Sequence, residues 1–339
     1  MLYIYNKSTD PYYNMAYEEY IFTELKEDIF MLWQNHNAII IGKNQNTLSE
    51  IDYNFAKEHN ISVVRRLSGG GAVYHDLGNI NFTFITDYNK DFFSEFDIFT
   101  KPVIDTLYSL GIKAELQGRN DISINGQKFS GNSQVVKSGR ILHHGTIMLD
   151  VNVDILSKGL FIKKEKIESK GIKSVKKRVT NIKDHLKEPV SSADFIRLLS
   201  DNVKKNNPNI KEYTLTQKDH KSISDLADSK YRTWEWNYGQ SPKYNIKKQI
   251  KLPGGNVEVY MKTEQGIITD FSIYGDFFGE GDINSFCSKI LGKQHNFDIL
   301  CKIFKDYHAE KYIYTLTDTE NFIKELFWNK KKPHLGLFI

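Results

Sequence analysis

The sequence has two cysteines, Cys287 and Cys301, among its 339 residues. Two thiols cannot build a disulfide framework, and by themselves they cannot form a zinc site. Long apolar runs are also missing, because no stretch of 18 uncharged apolar residues occurs, and no membrane span is predicted. Residues 1–6 show neither a basic start nor a long apolar run, so no signal peptide is predicted. These absences favour a cytoplasmic protein that does not bind membranes.

Arginine is scarce, with 7 arginines against 39 lysines. The adjacent pair Arg65-Arg66 is therefore more informative than any pair of lysines. Apolar residues make up 40% of the chain and aromatic residues 13%, which is enough for a packed core and excludes disordered and collagen-like classes. At about 150 residues per domain, the length indicates two domains.

The formal net charge of +4 is unevenly distributed. Residues 1–150 carry −5, residues 151–245 carry +8 and residues 246–339 carry +1. Ten lysines and Arg178 lie within 158–187. Such a local excess indicates an acidic ligand or partner, or else a solvated lysine surface. Nucleic-acid binding is not predicted, because no concentrated basic helix and no aromatic-basic RNA motif occurs.

Hydrophobic periodicity predicts an α+β protein. The first part alternates strands and helices, with helices expected at 10–26, 53–59 and 94–110, and strands at 2–5, 29–33, 38–41, 61–65, 81–86 and within 121–149. Residues 152–245 look mostly helical. A three-stranded meander and three helical stretches follow from residue 246 onward. We therefore expect a domain boundary near residue 245, between a larger domain at 1–245 and a smaller one at 246–339.

The most unusual segment runs from Arg65 to Asn79, with the sequence RRLSGGGAVYHDLGN. Three consecutive glycines after a strand permit close backbone approach to a ligand, and their N–H groups can form an anion-binding nest. Glycines alone also suit a flexible surface loop. The segment matches neither a P-loop nor a dinucleotide fingerprint. A nucleotide phosphate remains the expected ligand of this loop.

The same segment resembles the signature of the lipoate–protein ligases, R-R-x-S-G-G-G-A-V-[FY]-H-D-x-G-N. Further blocks resemble the family's pattern in the same order along about residues 10–240: NMAYEE at 14–19, LWQN at 32–35, IGKNQN at 41–46, GRND at 118–121, KFSG at 128–131, HHGT at 143–146, GIKSV at 171–175, RVTN at 178–181 and WEWNYG at 234–239. The part after residue 245 fits the family's accessory domain by position and length.

The resemblance implies a fold and a reaction. The fold is a biotin-ligase-like domain of mixed, mostly antiparallel sheets flanked by helices, with a small α+β C-terminal domain. Lipoate and ATP with Mg²⁺ give lipoyl-AMP and pyrophosphate, and the lipoyl group then passes to a lysine of a carrier domain. The glycine-cleavage H protein and the dehydrogenase acyltransferase subunits are the implied carriers. A monomer is expected.

The resemblance also implies catalytic residues. Lys128 would be the central cation, bridging the acid's carboxylate and the α-phosphate, with Asp121 beside it to orient the lysine or help hold Mg²⁺. Arg66 would be the third catalytic residue. The implied nucleotide contacts are Arg66, Gly71, Ala72, Val73, Tyr74, Asn79, Lys128 and Thr146. Read alone, Lys128 is an ordinary strand lysine and Asp121 a turn residue.

The lipoyl tail requires an apolar slot. The positions that match the family's pocket are Met15, Tyr17, Trp33, Ile41, Ser68, Gly71, His75, Lys128 and His144. Most of them would also suit an ordinary core. The histidines at 75, 143 and 144 suggest zinc, but no further spaced ligand set supports it.

Three rival functions are each disfavoured by a feature of the sequence. An octanoyl or lipoyl acyltransferase of the same fold needs a cysteine nucleophile, and the first cysteine is Cys287, in the accessory domain. A biotin ligase would carry a G-R-G-R-x-x-R loop, which is absent. A non-catalytic acyl-adenylate-binding protein is disfavoured by the presence of Arg66, Lys128 and Asp121.

Overall fold

A computed structural model gives the fold and describes residues 1–47, 50–89, 95–118, 120–160, 178–238, 246–264 and 266–327. The chain divides into two units, residues 1–240 and 241–339, which are treated separately. Helices accompany mixed or antiparallel sheets in both, so the predicted α+β fold class is confirmed. The domain boundary expected near residue 245 falls in 239–245, outside the described residues.

The first unit contains two sheets. Its strands are β1 (Leu2–Asn6), β2 (Ile29–Trp33), β3 (Ala38–Ile41), β4 (Ser62–Arg65), β5 (Val73–His75), β6 (Asn79–Asp87), β7 (Glu115–Gln117), β8 (Asp121–Ile124), β9 (Gln127–Lys137), β10 (Arg140–Met148) and β11 (Lys211–Glu212). The main sheet has the order β11-β1-β2-β6-β10-β9-β8-β7, and the small sheet has the order β4-β3-β5. In the main sheet β1 runs parallel to β2 and β11, and the other pairs are antiparallel.

Helices cover both faces of the main sheet. They are α1 (Pro11–Glu24), α2 (Tyr53–Glu58), α3 (Phe96–Ser109), α4 (Val153–Gly159), α5 (Ser192–Asn206), α6 (Gln217–Leu226) and α7 (Trp234–Asn237), with a 3-10 turn at Ile182–His185 and a π-helical turn at Ala227–Tyr231. The first begins as its sequence predicts, because the Asp10 side chain accepts hydrogen bonds from the N–H groups of Tyr12 and Tyr13, and Pro11 follows the cap.

The alternation of side chains along each strand gives the main sheet two different faces. Phe30, Phe82 and Phe84 point to one face and join the core formed with α3 and α5. Met31 and Trp33 point to the opposite face, where they pack with α1 and with Ile40 of the small sheet. The small sheet therefore lies over one face of the main sheet, and the candidate site lies between them.

Tight hairpins set the register of the site strands. Asn125 and Gly126 have φ values of 51° and 76° between β8 and β9, and Ser138 and Gly139 have φ values of 51° and 76° between β9 and β10. Two central residues with positive φ make the turn whose twist matches that of the strands, as the Asn-Gly pair predicts.

The second unit is built around an antiparallel meander of β12 (Ile246–Leu252), β13 (Gly255–Glu264) and β14 (Ile267–Gly275). Its helices are α8 (Ile283–Cys287), α9 (Phe297–Asp306), α10 (Ala309–Tyr312) and α11 (Thr319–Phe327). Both cysteines are buried in its core. Within the described parts of both units, no helix combines the length and apolarity that crossing a bilayer requires.

Candidate active site

A cavity between the two sheets collects most of the predicted site residues. It encloses about 590 Å³, counting the part open to solvent. Trp33 on β2, Asn81 on β6 and Thr146 on β10 are successive register partners along its floor. Predicted site residues on its wall are Met15, Trp33, Arg66, Gly71, Ala72, Val73, His75, Lys128, His144 and Thr146. Residues from five distant segments of the sequence thus meet in one place.

Strand alternation keeps two other predicted residues off this wall. Ile41 is buried on the opposite side of the small sheet, and its neighbour Ile40 lines the cavity instead. Tyr74 likewise points away from the cavity that Val73 lines, and its hydroxyl donates to Asn37 Oδ1 at 3.0 Å. Burial raises the pKa of Tyr74 to about 12, so it stays a neutral phenol.

The remaining predicted residues surround the cavity without lining it. Tyr17 is buried in the core, where its ring meets that of His220 at 6.3 Å. Asn79 is buried and donates from Nδ2 to Asn81 Oδ1 at 2.8 Å. Ser68 is fully buried behind the wall. Its hydroxyl belongs to a hydrogen-bond chain described below.

A β-bulge brings Lys128 to the cavity. Asp121 pairs with Gly131, and Ser123 pairs with Lys128, so Phe129 is an extra residue in β9. In a regular strand, residues 128 and 131 would point to opposite faces. The bulge turns the lysine toward Gly131, where an added Cβ would lie 2.8 Å from Nζ. The Lys128 ammonium ion also lies 2.6 Å from Asp121 Oδ1, and both side chains are partly exposed.

The guanidinium of Arg66 holds the glycine loop. It is buried and donates to the carbonyl oxygens of Gly69 (2.6 Å), Gly71 (2.9 Å) and Ile40 (3.3 Å). Gly70 has a φ of 92°, and an added Cβ on Gly42 would lie 2.0 Å from the Gly70 carbonyl oxygen, so two glycines let the backbones meet. Burial lowers the pKa of Arg66 to about 10, which leaves it charged at neutral pH. A fixed cation therefore lies behind the loop.

The neighbouring Arg65 has a separate structural role. Its guanidinium donates to the carbonyl oxygens of Gly42 (3.0 Å), Gln45 (2.6 Å) and Trp236 (2.9 Å). The Asn237 side chain accepts a hydrogen bond from the Arg65 backbone N–H at 2.8 Å. Arg65 thus ties the IGKNQN and WEWNYG blocks to the glycine loop, which the sequence alone did not reveal.

A chain of buried hydrogen bonds connects opposite walls of the cavity. His144 donates from Nδ1 to Glu18 Oε1 at 2.9 Å, and its Nε2 lies 2.6 Å from Ser68 Oγ. The same serine oxygen accepts from Arg66 Nε at 3.1 Å.

On the other side, the Thr83 hydroxyl donates to Glu18 Oε1 at 2.7 Å and accepts from Trp33 Nε1 at 3.0 Å. Glu18 is 1% exposed. The buried carboxylate of Glu18 therefore positions the Trp33 ring through Thr83. Through His144 and Ser68 it also positions the guanidinium of Arg66.

The adjacent histidines His143 and His144 point to opposite faces of β10. His143 stacks on Phe99 with ring centroids 4.7 Å apart, and burial keeps its pKa well below the usual value. It is a neutral core residue, whereas His144 lines the cavity. No group of three His, Cys, Asp or Glu side chains in the described ranges could hold a metal ion.

Comparison with known proteins identifies the family. The model of the lipoyl protein ligase A/B catalytic domain matches residues 10–204, and that of the bacterial lipoate protein ligase C-terminus matches residues 241–326. A lipoate-protein ligase of Bacillus subtilis, LplJ, is 43% identical over 322 residues, which cover 94% of this chain and 97% of that protein. The chain belongs to the lipoate–protein ligase family. The resemblance inferred from the sequence is confirmed.

Solved structures support the same assignment of the lipoate–protein ligase fold. Plasmodium falciparum LipL1 in complex with lipoate has a TM-score of 0.77 at 26% identity, with 96% of this chain and 97% of that chain covered. A lipoate-protein ligase A bound with ATP has a TM-score of 0.62 at 27% identity, with 71% of this chain and 99% of that chain covered.

Three family blocks fall partly or wholly outside the described residues. The GIKSV block at 171–175 lies in the part of the basic stretch, 161–177, that is not described, and Arg119 of the GRND block and Gly239 of the WEWNYG block also lie outside. The RVTN block is described, and it lies beside the lysine, because Thr180 N donates to the Lys128 carbonyl oxygen at 2.9 Å. The part of the basic stretch around Thr180 is thereby fixed next to the candidate catalytic lysine.

Sequence reasoning missed several residues of this lipoate–protein ligase site. The missed wall residues are Ile40, Gly70, Asn81, Asn120, Gly131, Asn132, Ser133 and Gly145. Glu18 was part of a quoted block but received no role, although an acidic residue among apolar neighbours on a buried helix face is a usable signal. For Asn81, the signal is its position two residues after Asn79, on the same face of the same strand.

Proposed function

We propose that this chain activates lipoate with ATP and transfers the lipoyl group to a lysine of a carrier domain. The observation that carries the proposal is Lys128, placed by the β9 bulge at the open end of a cavity whose inner wall includes Met15 and Trp33. An amphipathic acid fits this arrangement, with its carboxylate at the lysine and its tail among the apolar side chains.

In the first step, a carboxylate oxygen of lipoate attacks the α-phosphorus of ATP, and the bond to pyrophosphate breaks. Negative charge accumulates on the phosphoryl oxygens, where the Lys128 ammonium ion and the N–H groups of the glycine loop would stabilise it. Arg66 acts indirectly in this step, because its guanidinium holds the glycine loop in place through the carbonyl oxygens of Gly69 and Gly71.

In the second step, the amine of the carrier lysine attacks the acyl carbon of lipoyl-AMP. The new amide bond forms, AMP leaves with the electron pair of the broken acyl–oxygen bond, and the amine loses a proton. Lys128 would neutralise the oxyanion that develops on the acyl oxygen.

Magnesium fits this site if it arrives with the polyphosphate. The described residues offer a single carboxylate beside Lys128, that of Asp121, and it is partly exposed. Mg²⁺ commonly binds through one or two carboxylates together with substrate phosphates, and it would shield their charge. Asp121 is therefore the residue proposed to hold it.

The proposed carriers are lipoyl domains of the glycine-cleavage H protein or of dehydrogenase acyltransferase subunits. The family membership supports a protein acceptor, and the basic stretch of 158–187 would suit an acidic carrier surface.

A thioester acyltransferase is the rival function. It needs a reactive thiol, but Cys287 and Cys301 are both buried in the second unit, and burial raises the pKa of Cys287 to about 12. This observation favours the adenylate route.

The decisive experiment incubates the protein with an apo lipoyl domain, lipoate and MgATP. Mass spectrometry of the domain and a pyrophosphate assay are read together. We expect a lipoylated lysine and stoichiometric pyrophosphate. Acyl transfer from an acylated carrier in the absence of ATP would instead establish the thioester route, and no modification under either condition would refute the proposed function.

A further inference from the structure

His75 presents a buried ring N–H to the inner part of the cavity. Its side chain is 3% exposed and lines the wall. Its Nε2 is enclosed and has no hydrogen-bond partner among the residues that the structure describes. An unpaired buried donor costs about 1–3 kcal/mol, so its position calls for a ligand acceptor.

Backbone carbonyl groups determine which nitrogen of the ring carries the proton. The Asn14 amide nitrogen donates to the carbonyl oxygens of Ser8 (2.9 Å) and Gln34 (2.8 Å), which fixes its orientation. The same nitrogen lies 2.9 Å from Asn35 Oδ1, so the Asn35 amide nitrogen faces His75 Nδ1 at 3.1 Å.

Because that amide nitrogen can only donate, His75 Nδ1 accepts, and the ring proton lies on Nε2. Burial lowers the pKa of His75 to about 3, so the ring is neutral at physiological pH. Asn35 is therefore a positioning residue that makes Nε2 a donor.

The strand order places the Asn35 contact of this donor on the β2 side of the cavity floor, whereas Lys128 lies on the β9 side. His75 is held by Asn35, two residues after Trp33 at the end of β2, while Lys128 lies against Gly131 on β9. Strands β6 and β10 separate β2 from β9. Three strand spacings of about 4.8 Å amount to roughly 14 Å. An acid whose carboxylate meets Lys128 therefore directs its tail toward the side where His75 lies.

We propose that His75 Nε2–H donates to a sulfur of the dithiolane ring and thereby selects lipoate over straight-chain fatty acids of similar length. This inference rests on the proposed function. Sulfur is a weak acceptor, but it is the sole acceptor that the tail of lipoate carries, whereas octanoate has none. A substrate without an acceptor leaves the buried donor unpaired, and the site therefore disfavours that substrate.

The test compares lipoate and octanoate as substrates for pyrophosphate release. In His75→Leu the donor is removed and the volume is kept close, so kcat/KM should fall for lipoate and rise for octanoate. The selectivity ratio should fall by roughly three- to tenfold, the scale of one neutral hydrogen bond. His75→Gln, whose amide N–H₂ reaches a similar point, should restore part of the ratio. Asn35→Leu should lower it while leaving His75 in place.

Nitrogen-15 NMR of the imidazole in the intact protein supplies a readout besides activity. We expect a neutral ring protonated at Nε2 and a shift of its N–H signal on addition of lipoate but not of octanoate. Equal changes in kcat/KM for both acids in His75→Leu, or equal NMR shifts, would overturn the proposal and assign the N–H to a bound water or to the fold. A wild type that adenylates neither acid would refute the proposed function itself.

Discussion

His144 and Glu18 form a buried pair in which the imidazole Nδ1 donates to a carboxylate that is 1% exposed. The carboxylate also accepts from Thr83, and it thereby connects Trp33 to the ring. A buried network of this kind is stabilising only while every member is satisfied.

Glu18→Gln tests that network. The Thr83 hydroxyl and His144 Nδ1 both donate to Oε1, which an amide oxygen can replace, but the amide then places a donating N–H₂ at the Oε2 position, 3.0 Å from His144 Nδ1, which is itself a donor. We expect a loss of about 1–3 kcal/mol in the free energy of unfolding, the cost of an unpaired buried donor. Urea unfolding measures it, with Glu24→Gln on the exposed part of the same helix as the control. Equal stability of both variants would show that the pair is dispensable.

Lys128→Ala should lower the rate of pyrophosphate release by roughly 10²-fold or more, because one preorganised cation at the developing charge is lost. Lys128→Arg should restore only part of the rate, since a planar fork replaces a compact ammonium ion. Lys137→Ala, at the exposed end of the same strand, is the matched control. Rates within a factor of about two of wild type for Lys128→Ala, in a folded protein, would contradict the assignment.

Gly131→Ala should separate activity from folding. The new methyl group would approach Lys128 Nζ at 2.8 Å, and a flexible ammonium group can move away at little cost in stability. Adenylation should therefore fall while the melting temperature stays near that of wild type.

Gly145→Ala provides the contrast for Gly131→Ala. There the methyl group would meet Phe82 and Asn132 in the sheet, so the melting temperature should drop. Normal adenylation in folded Gly131→Ala would show that the lysine position is not critical.

The buried His75 predicts a pH dependence of stability. Its pKa is lowered from 6.5 to about 3 in the folded state. Between these values the unfolded chain binds more protons than the folded chain, so the free energy of unfolding rises with pH through this window. The stability that the neutral His75 contributes is lost as the pH falls toward 3.

The slope from this one group reaches about 1.4 kcal/mol per pH unit. Urea unfolding at a series of pH values should show a shallower dependence in His75→Gln than in wild type. Parallel curves for the two proteins would contradict the assigned ionisation.

Replacing Cys287 and Cys301 by alanine should leave lipoyl transfer to an apo carrier unchanged, because the adenylate route uses no thiol. The residual rate per folded protein, measured by mass spectrometry of the carrier, is the relevant quantity, since both side chains fill the core of the second unit. Loss of transfer with retained adenylation would favour a thioester intermediate.

Periodicity and turn chemistry located most of the elements of the fold, but the short strands β5, β7 and β11 were not among those expected. The expected strands at 29–33 and 38–41 coincide with β2 and β3, and the Asn-Gly hairpin lies where its residues predict. They could not show which face of each strand points toward the site. Alternation groups Ile39 with Ile41 and Ala38 with Ile40, but only the packing of one sheet on another shows which set meets the ligand.

The bulge at Phe129 was beyond sequence reasoning for a similar reason. An extra residue in one strand is defined by its partner strand, and the pairing of Asp121 with Gly131 is not visible in either segment alone. The network around Glu18 depends on α1, β6 and β10 meeting in space. Sequence motifs identified the participants at Lys128 and Arg66, and the fold determines what each of them contacts.

The hydrogen bonds of Arg65 to the end of the first unit have a consequence for biosynthesis. They reach Trp236 and Asn237, more than one hundred and fifty residues later in the chain. A ribosome makes the glycine loop long before it makes these partners, so until the end of the first unit emerges, Arg65 of the nascent chain has its acceptors at Gly42 and Gln45 but lacks those at Trp236 and Asn237. The wall of the site that contains the glycine loop is therefore completed late, and a chain that stops before Trp236 would contain every proposed catalytic residue but lack two of the contacts that hold Arg65 beside this loop.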